Sequence, residues 1–158
     1  MIIKIENIYD FYSSIVLLYN YDYLYKFIQG KYKYFLGLYA VLTFERILKY
    51  IFTYVSYEIF KRPIGALNCG LLNDGGIVEG NCGFPSGHAI STSFYFYLLY
   101  LDNRFKIKKY QYYNYLLYAL IHIPIFLVSY GRIMKNCHNL FQVCGGYIFG
   151  MFFAFLFY

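Results

Sequence analysis

Two segments of this chain carry no Asp, Glu, Lys or Arg: residues 111–130 (QYYNYLLYALIHIPIFLVSY) and residues 136–158 (NCHNLFQVCGGYIFGMFFAFLFY). As a helix, each is long enough to cross the roughly 30 Å hydrocarbon core of a bilayer. The whole chain is 60% hydrophobic and 14% charged, whereas a typical soluble domain is about 25% charged. The sequence therefore predicts an all-α membrane protein before any motif is considered.

Three further apolar segments are shorter or are interrupted by charge. They are residues 11–25, which contain Asp22, residues 34–60, which contain Glu45, Arg46 and Lys49, and residues 86–103. Neither half of 34–60 is long enough to cross a bilayer alone, so we expect one long helix there. The prediction is a polytopic bundle of five transmembrane helices, or six if 34–60 breaks in its middle.

The chain is predicted to form one domain, residues 1–158, because it shows no internal repeat, no Pro-rich or Ser-rich linker and no low-complexity tail. Its N-terminus, MIIKIENIYDFYSS, lacks the apolar core and small-residue cleavage site of a signal peptide, so we expect the first helix to be retained. The net charge is +6, but the basic residues are spread among apolar segments. This distribution argues against nucleic acid as a partner.

Basic residues between the predicted helices indicate which loops face the cytoplasm. They form two clusters, Lys26, Lys31 and Lys33 in the first and Arg104, Lys106, Lys108 and Lys109 in the second. Positively charged loops tend to stay cytoplasmic, and five helices place both clusters on one side. The loop 61–88 and the turn 131–138 are therefore expected on the lumenal or exterior face.

Cys69 and Cys82 lie in that loop, within NCGLLNDGGIVEGNCG. In an oxidising compartment they can form a disulfide. The alternative is two free thiols, because spacing alone does not establish the geometry of a bridge. Zinc-type spacings such as CxxC or HxxxH are absent from the sequence, so neither a metal nor a cofactor is expected.

Three short motifs lie at predicted helix ends on the same face. They are Lys61-Arg62-Pro63, Pro85-Ser86-Gly87-His88, and GRIMKNCHNLFQ, in which His138 follows Arg132 by six residues. Guanidinium groups bind phosphoryl oxygens in a bidentate manner and stabilise transition-state charge. The free N–H groups at a helix start form an anion site, and Gly87 lets the backbone approach closely. One imidazole can then attack phosphorus while the other protonates the leaving oxygen.

This set of motifs resembles the type-2 phosphatidic acid phosphatase superfamily, which includes lipid phosphate phosphatases, undecaprenyl and dolichyl diphosphatases, glucose-6-phosphatase and vanadium haloperoxidases. The family pattern is Lys, six residues, Arg-Pro; then Pro-Ser-Gly-His; then Ser-Arg, five residues, His, three residues, Asp. Its order and internal spacing match from residue 62 to residue 142. The resemblance implies a helical bundle with a metal-independent active site. It implies the following roles: His138 as the nucleophile that forms a phosphohistidine, His88 as the general acid, and Arg62, Ser86, Gly87 and Arg132 around the phosphate.

The chain departs from the family pattern at three positions. Val55 stands where the family has lysine, and Lys61, the nearest basic residue, either contacts phosphate in its place or snorkels to the membrane interface. Gly131 replaces the serine before Arg132, which removes one hydroxyl donor.

Gln142 stands at the aspartate position. Its spacing of four from His138 lets it accept a hydrogen bond from the imidazole, although it brings no negative charge. Glucose-6-phosphatases and dolichyl diphosphatases resemble the chain in tolerating Gln here, which points towards that lumenal branch. We expect Lys61, Pro63 and Gln142 to contribute to substrate binding.

Other polar and small residues have structural interpretations. His122 belongs to no motif and is expected to pair with a neighbour inside the membrane. Glu45 and Lys49, spaced i, i+4, are expected to pair within the bundle rather than to act in catalysis. The small-xxx-small stretch from Gly146 to Gly150 is expected to pack against a neighbouring helix of the same chain rather than to form a dimer.

The main functional hypothesis is an integral-membrane phosphatase acting on a lipid phosphate or a polyprenyl diphosphate. Two alternatives share its chemistry: a lumenal sugar-phosphate phosphatase and a phosphotransferase that uses a lipid alcohol as acceptor. A catalytically inactive membrane scaffold is the alternative from another class, and Val55, Gly131 and Gln142 support it. The sequence leaves the oligomeric state open.

Overall fold

The computed structural model of the protein describes residues 8–55, 57–104 and 111–158. Over these ranges it contains five α-helices, one short 3₁₀-helix and no β-strand. The elements are α1 (Ile8–Ile28), α2 (Tyr32–Thr53), the 3₁₀-helix (Glu58–Phe60), α3 (Gly87–Arg104), α4 (Gln111–Met134) and α5 (Leu140–Leu156). The prediction of an all-α bundle of five helices is confirmed.

Two helix boundaries differ most from the sequence prediction, the end of α2 and the start of α5. The helix expected over 34–60 ends at Thr53, where the N–H of Tyr54 bonds back to the carbonyls of the last turn. The helix expected over 136–158 begins only at Leu140. Asn136 adopts a left-handed φ of 57° that interrupts the helix before it, and the side chain of Asn139 caps α5 by accepting a hydrogen bond from the N–H of Gln142 at 3.0 Å.

Helix α3 lies at the centre of the bundle and contacts each of the other four helices. It packs most closely against α5, where Gly146 and Gly150 bring the two backbones together. A Cβ atom at Gly150 would collide with the carbonyl oxygen of Ile90 on α3. The predicted packing of the small-xxx-small stretch against a helix of the same chain is confirmed.

The charges within the helices are largely paired. Asp22 pairs with Lys26 on α1, Lys33 of α2 pairs with Asp102 of α3, and Lys135 pairs with Asp10 at 2.5 Å. His122 is also satisfied, because its Nε2 lies 3.0 Å from the hydroxyl of Tyr97 and 3.1 Å from that of Tyr147. Such pairing allows charged and polar side chains to remain inside an apolar bundle.

By length and composition, one helix among the described residues is apolar enough to cross a membrane, Tyr112–Met134. Helix α5 is also apolar but shorter. Of the two basic clusters, Lys26, Lys31, Lys33 and Arg104 lie at one end of the bundle, where α1 and α3 end and α2 begins. Lys106, Lys108 and Lys109 lie outside the described residues.

The long connection between α2 and α3 is fastened to the rest of the fold by a disulfide. Cys69 is bonded to Cys137, 68 positions later, and Cys82 is free. Both alternatives drawn from the sequence, a Cys69–Cys82 disulfide and two free thiols, are therefore wrong. The loop doubles back on itself, and an isolated antiparallel β-bridge pairs the backbones of Leu67 and Ile77. A second isolated β-bridge pairs the backbones of Lys61 and Cys82. This path takes Cys69 away from Cys82 and to the turn between α4 and α5.

Candidate active site

The three sequence motifs meet at the end of the bundle where α2 and α4 end and where α3 and α5 begin. Hydrogen bonds join them directly. The N–H of Ser86 donates to the carbonyl of Gln142 at 3.0 Å. The side chain of Gln142 donates to the carbonyl of Lys61 at 2.7 Å, and Arg62 Nη1 donates to the carbonyl of Cys137 at 3.1 Å. Segments far apart in sequence thus form one connected site.

His138 presents a nitrogen lone pair within this site. Its ring is buried, and its Nδ1 lies 3.0 Å from Oε1 of Gln142. Because an amide oxygen only accepts, Nδ1 carries the proton and donates this bond. Nε2 is then unprotonated, and Arg62 Nη1 approaches it to 3.4 Å. The imidazole is therefore held with its unprotonated nitrogen next to a guanidinium.

Gln142 is fixed in the orientation that this arrangement needs. Both hydrogens of its amide nitrogen are used, because Nε2 donates to the carbonyl of Ile59 at 3.1 Å and to that of Lys61 at 2.7 Å. A flipped amide would place an oxygen against those two carbonyls. The amide oxygen consequently faces His138, and the hydrogen bond expected from the four-residue spacing is present.

The surroundings of His138 favour the neutral imidazole. Burial holds the pKa of His138 well below its ordinary value, and the positive charges of Arg62, Arg132 and Lys49 lower that pKa further. The hydrogen bond to Gln142 acts in the opposite direction and is the smaller influence. At neutral pH the ring is therefore unprotonated at Nε2, and the lone pair of that nitrogen is available to act as a nucleophile or a base.

Four buried side-chain atoms of the remaining motif residues have no hydrogen-bond partner among the described residues. They are Oγ of Ser86, Nε2 of His88, and Nε and Nη1 of Arg132. Arg132 is fully buried, and in the described part of the chain its hydrogen bond runs from Nη2 to the carbonyl of Cys69 at 2.5 Å. Buried polar groups are nearly always paired. An anion bound among these atoms would satisfy them.

A cavity of about 340 Å³ opens at this end of the bundle. One wall, here called the motif wall, consists of Arg62, Gly87, His88 and His138. A second wall, here called the α2 wall, consists of Leu38, Leu42, Glu45, Arg46 and Lys49. Among the described residues, no group of three or more His, Cys, Asp or Glu could hold a metal ion. The cavity is instead rich in cationic side chains.

The cavity is lined by none of the three predicted substrate-binding residues, Lys61, Pro63 and Gln142, and the buried Ser86 and Arg132 lie behind it rather than in its lining. The ammonium of Lys61 pairs with Glu58 at 2.7 Å and lines a separate hollow that also contains Val55. Lys61 contributes to the site through its carbonyl, which accepts from Gln142. Pro63 begins a turn in which its carbonyl accepts from the N–H of Ala66 at 3.2 Å. Neither side chain lines the cavity that contains His138.

Gly131 is explained by its packing against α1. A Cβ atom at this position would lie 3.0 Å from Cβ of Tyr12 and 3.1 Å from the carbonyl oxygen of Tyr9. A serine in its place would be crowded by the backbone of α1. The loss of the family's serine hydroxyl is therefore coupled to the close approach of α1 and α4.

Sequence analysis missed the charged part of the α2 wall. Glu45 and Lys49 form the ion pair that was predicted, but both side chains, together with Arg46, also line the cavity. The carboxylate of Glu45 lies against Gly87 at the start of α3. Helical periodicity was the available signal, because positions 38, 42, 45 and 49 share one face of a helix.

A family model of the PAP2 superfamily matches residues 30–158, which include α2 to α5. The chain belongs to the PAP2 superfamily. The resemblance to type-2 phosphatidic acid phosphatases is thus confirmed, and with it a phosphatase-type activity on the fold of a membrane helical bundle. No curated protein and no solved structure gave a match. Helix α1 precedes the matched region, yet its Val16 and Asn20 also line the cavity.

Proposed function

We propose that the protein is an integral-membrane, metal-independent phosphatase that removes the terminal phosphate from a lipid phosphate or a polyprenyl diphosphate. The observation that carries this proposal is the proximity of two features. One is the unprotonated Nε2 of His138 beside Arg62. The other is the set of unpartnered buried atoms on Ser86, His88 and Arg132. The first supplies a nucleophile, and the second supplies ligands for the phosphoryl group that it attacks.

In the first step, Nε2 of His138 attacks phosphorus and the bond from phosphorus to the leaving oxygen breaks. Arg62 and Arg132 bind the non-bridging oxygens and stabilise the charge that spreads over them in the transition state. His88, at the start of α3, gives a proton to the leaving oxygen. The N–H groups at the start of α3 add to the binding of the phosphoryl group.

In the second step, water attacks the phosphohistidine, and His88 takes the proton from that water. Phosphate leaves, and His138 returns to its neutral state. While phosphorylated, the ring is cationic and its Nδ1–H stays bonded to Gln142. The amide fixes the ring without neutralising its charge, so we expect a shorter-lived phosphoenzyme than a carboxylate would give.

The apolar surroundings of the site favour a lipid substrate over a sugar phosphate. Leu38 and Leu42 of α2 and Val16 of α1 line the same cavity as the catalytic residues. Large apolar side chains are also exposed on the outside of the bundle, including Leu18 (69%), Ile28 (75%) and Phe126 (66%). Exposed apolar surface of this extent is typical of a protein that contacts membrane lipid.

We place the site on the lumenal or extracytoplasmic face. The described basic residues Lys26, Lys31, Lys33 and Arg104 lie at the opposite end of the bundle, which agrees with a cytoplasmic position for that end. The disulfide between Cys69 and Cys137 lies at the same end as the site, and disulfides form in oxidising compartments. Labelling of the free thiol of Cys82 with a membrane-impermeant reagent tests this orientation.

The deciding experiment measures phosphate release by the purified protein in detergent, with a chelator present. Phosphatidic acid, a polyprenyl diphosphate and glucose 6-phosphate are compared. We expect turnover of a lipid substrate, inhibition by vanadate and an acid-labile phosphoenzyme. In His138→Ala, turnover falls at least about 10³-fold and the phosphoenzyme is absent. His122→Ala is the matched control, because His122 bonds Tyr97 and Tyr147 away from the cavity.

The outcomes separate the alternatives. A preference for glucose 6-phosphate would reject the lipid substrate and support a sugar-phosphate phosphatase. Diversion of phosphate from water to an added lipid alcohol would identify a phosphotransferase. No release from any of the three substrates by folded protein would favour an inactive scaffold, and a phosphoenzyme that persists in His138→Ala would remove His138 as the nucleophile.

A further inference from the structure

The charged part of the α2 wall has no role in the two-step reaction above. Lys49 is paired with Glu45, and Arg46 has no ion-pair partner within the described ranges 8–55, 57–104 and 111–158. All three side chains nevertheless line the cavity that contains His138. A free guanidinium and an ammonium in a substrate cavity indicate that an anionic part of the ligand lies beside them.

The order of residues along α2 indicates where the anionic part of the ligand would lie, between His138 and the leucines of α2. A helix rises about 1.5 Å per residue, so Leu42 lies roughly 10 Å along the axis from Lys49, and Leu38 lies one further turn away. Helix α2 ends at Thr53, near the motif wall. Passing away from His138, a ligand meets Lys49 and Arg46 first and the leucines afterwards.

The positive charge near His138 also differs from the net charge that α2 adds to the cavity. Arg62 and Arg132 at the reacting end supply two positive charges to one phosphoryl group. On α2, Arg46 and Lys49 together exceed the negative charge of Glu45 by one. A diphosphate ester carries more negative charge than a monophosphate ester, and its second phosphoryl group lies between the reacting phosphorus and the apolar chain. The cavity matches that sequence of groups.

We propose that Lys49 and Arg46 form a second anionic subsite that binds the leaving phosphoryl group of an apolar-tailed diphosphate. This inference rests on the proposed function and narrows its substrate class. The bond that breaks joins the terminal phosphorus to the bridging oxygen. That oxygen keeps the bonding electron pair and leaves as part of a monophosphate ester held by Lys49 and Arg46, while the terminal phosphoryl group passes to Nε2 of His138. Lys49 thereby occupies a role distinct from that of the family lysine missing at Val55.

The test compares farnesyl diphosphate with farnesyl monophosphate, which share one apolar chain. We expect the wild-type protein to favour the diphosphate in kcat/KM. Lys49→Gln and Arg46→Gln should each lower kcat/KM for the diphosphate by about 10- to 100-fold, as expected for loss of a charge-assisted contact. The kcat/KM for the monophosphate should fall less, so that the preference for the diphosphate becomes smaller in both variants. Lys49→Arg should retain most of the wild-type preference. Lys31→Gln is the matched control, because exposed Lys31 lies at the other end of the bundle.

Equal losses on both substrates in Lys49→Gln would overturn the inference, because Lys49 would then act on the reacting phosphoryl group itself. If the wild-type protein hydrolyses neither farnesyl substrate, the subsite is tested by binding alone, and the proposed function fails only if phosphatidic acid is not hydrolysed either. The probe is then the non-hydrolysable methylene analogue of farnesyl diphosphate, measured by calorimetry. Weaker binding to Lys49→Gln than to Lys31→Gln supports the subsite, and equal binding rejects it.

Discussion

The motif wall is assembled from three separate chain segments, whereas the α2 wall is one face of a single helix. On the motif wall, contacts with other segments fix the side chains. His138 bonds Gln142, whose amide is held in turn by the carbonyls of Ile59 and Lys61 in another segment. Arg62 bonds the carbonyl of Cys137. On the α2 wall, the contact that holds Lys49 is an ion pair with Glu45 one turn away on the same helix.

This difference has consequences for how the two walls tolerate change. A side chain fixed by several segments cannot shift to compensate for a substitution, so small changes on the motif wall should have large effects. A long side chain held by one pair within its own helix can adjust, and its contribution should depend on the substrate. The same substitution made on both walls measures this contrast.

Arginine-to-lysine substitutions make the most direct comparison and have the largest expected effect. Arg62→Lys should lower kcat/KM by about 10²- to 10³-fold, because a lysine cannot contact the Cys137 carbonyl, His138 and phosphate in the same planar geometry. Arg46→Lys keeps the charge of a side chain without fixed partners and should cost less than about 3-fold. Similar losses in the two variants, measured with the same lipid substrate, would contradict the contrast between the walls.

The disulfide supports the motif wall and leaves the α2 wall unconnected. The carbonyl groups of the bridged residues, Cys69 and Cys137, accept hydrogen bonds from Arg132 and Arg62. Cys137→Ser should therefore lower both the phosphatase activity and the free energy of unfolding, the latter by about 2–4 kcal/mol. Chemical unfolding in detergent measures the change, with Cys82→Ser as the control that removes a free thiol. Equal stability of Cys137→Ser and Cys82→Ser would show that the bridge does not hold the site.

Gln142→Glu tests whether the family's carboxylate can be restored at this position. The substitution replaces an N–H donor group by an oxygen that faces the carbonyls of Ile59 and Lys61. We expect the free energy of unfolding to fall by about 1–3 kcal/mol and the activity to fall with it. Gln29→Glu, which adds the same charge on the exposed surface, is the matched control. A rise in activity with unchanged stability would contradict this account.

Most of the fold could be predicted because apolar composition marks a buried or lipid-facing helix directly. The predicted start of α3 at residue 86 differs by one from Gly87. The end of α2 could not be found in this way, because residues 54–60 are as apolar as the helix that precedes them. The chain leaves the helix after Thr53 for the 3₁₀-helix Glu58–Phe60, and this change of path leaves no mark in composition.

The site was predictable where function depends on short spacing. The pairing of His138 with Gln142 follows from a separation of four residues on a helix. Long-range pairing was not predictable, because the path of the loop decides that Cys69 meets Cys137. Lys61 adjoins Arg62 in sequence but turns to Glu58, whereas Lys49 reaches the cavity through the packing of α2. A lysine that is adjacent in sequence to a cavity residue therefore need not line the cavity itself, whereas a lysine distant in sequence can.

The pH dependence of stability should show the smallest effect, and it connects the two walls. Burial, Arg62, Arg132 and Lys49 lower the pKa of His138 in the folded state, whereas in the unfolded chain it is about 6.5. Below about pH 6.5 the unfolded state therefore binds a proton that the folded state does not. The stability contribution is complete above this pH and is lost as the pH falls, by up to about 1.4 kcal/mol per pH unit.

His138→Gln should accordingly reduce the slope of unfolding free energy against pH between about pH 6.5 and pH 5, and the difference from the wild-type curve isolates the contribution of this ring. Lys49→Gln should reduce the slope less. It removes only one of the positive charges that lower the pKa of His138, and burial and the two arginines remain. If the Lys49→Gln and wild-type curves have the same slope and also level off at the same low pH, where His138 of the folded protein becomes protonated, the charge of the α2 wall does not act on His138, and the walls are independent. A slope intermediate between those of the wild-type protein and His138→Gln would show that the α2 wall helps to keep the nucleophile unprotonated.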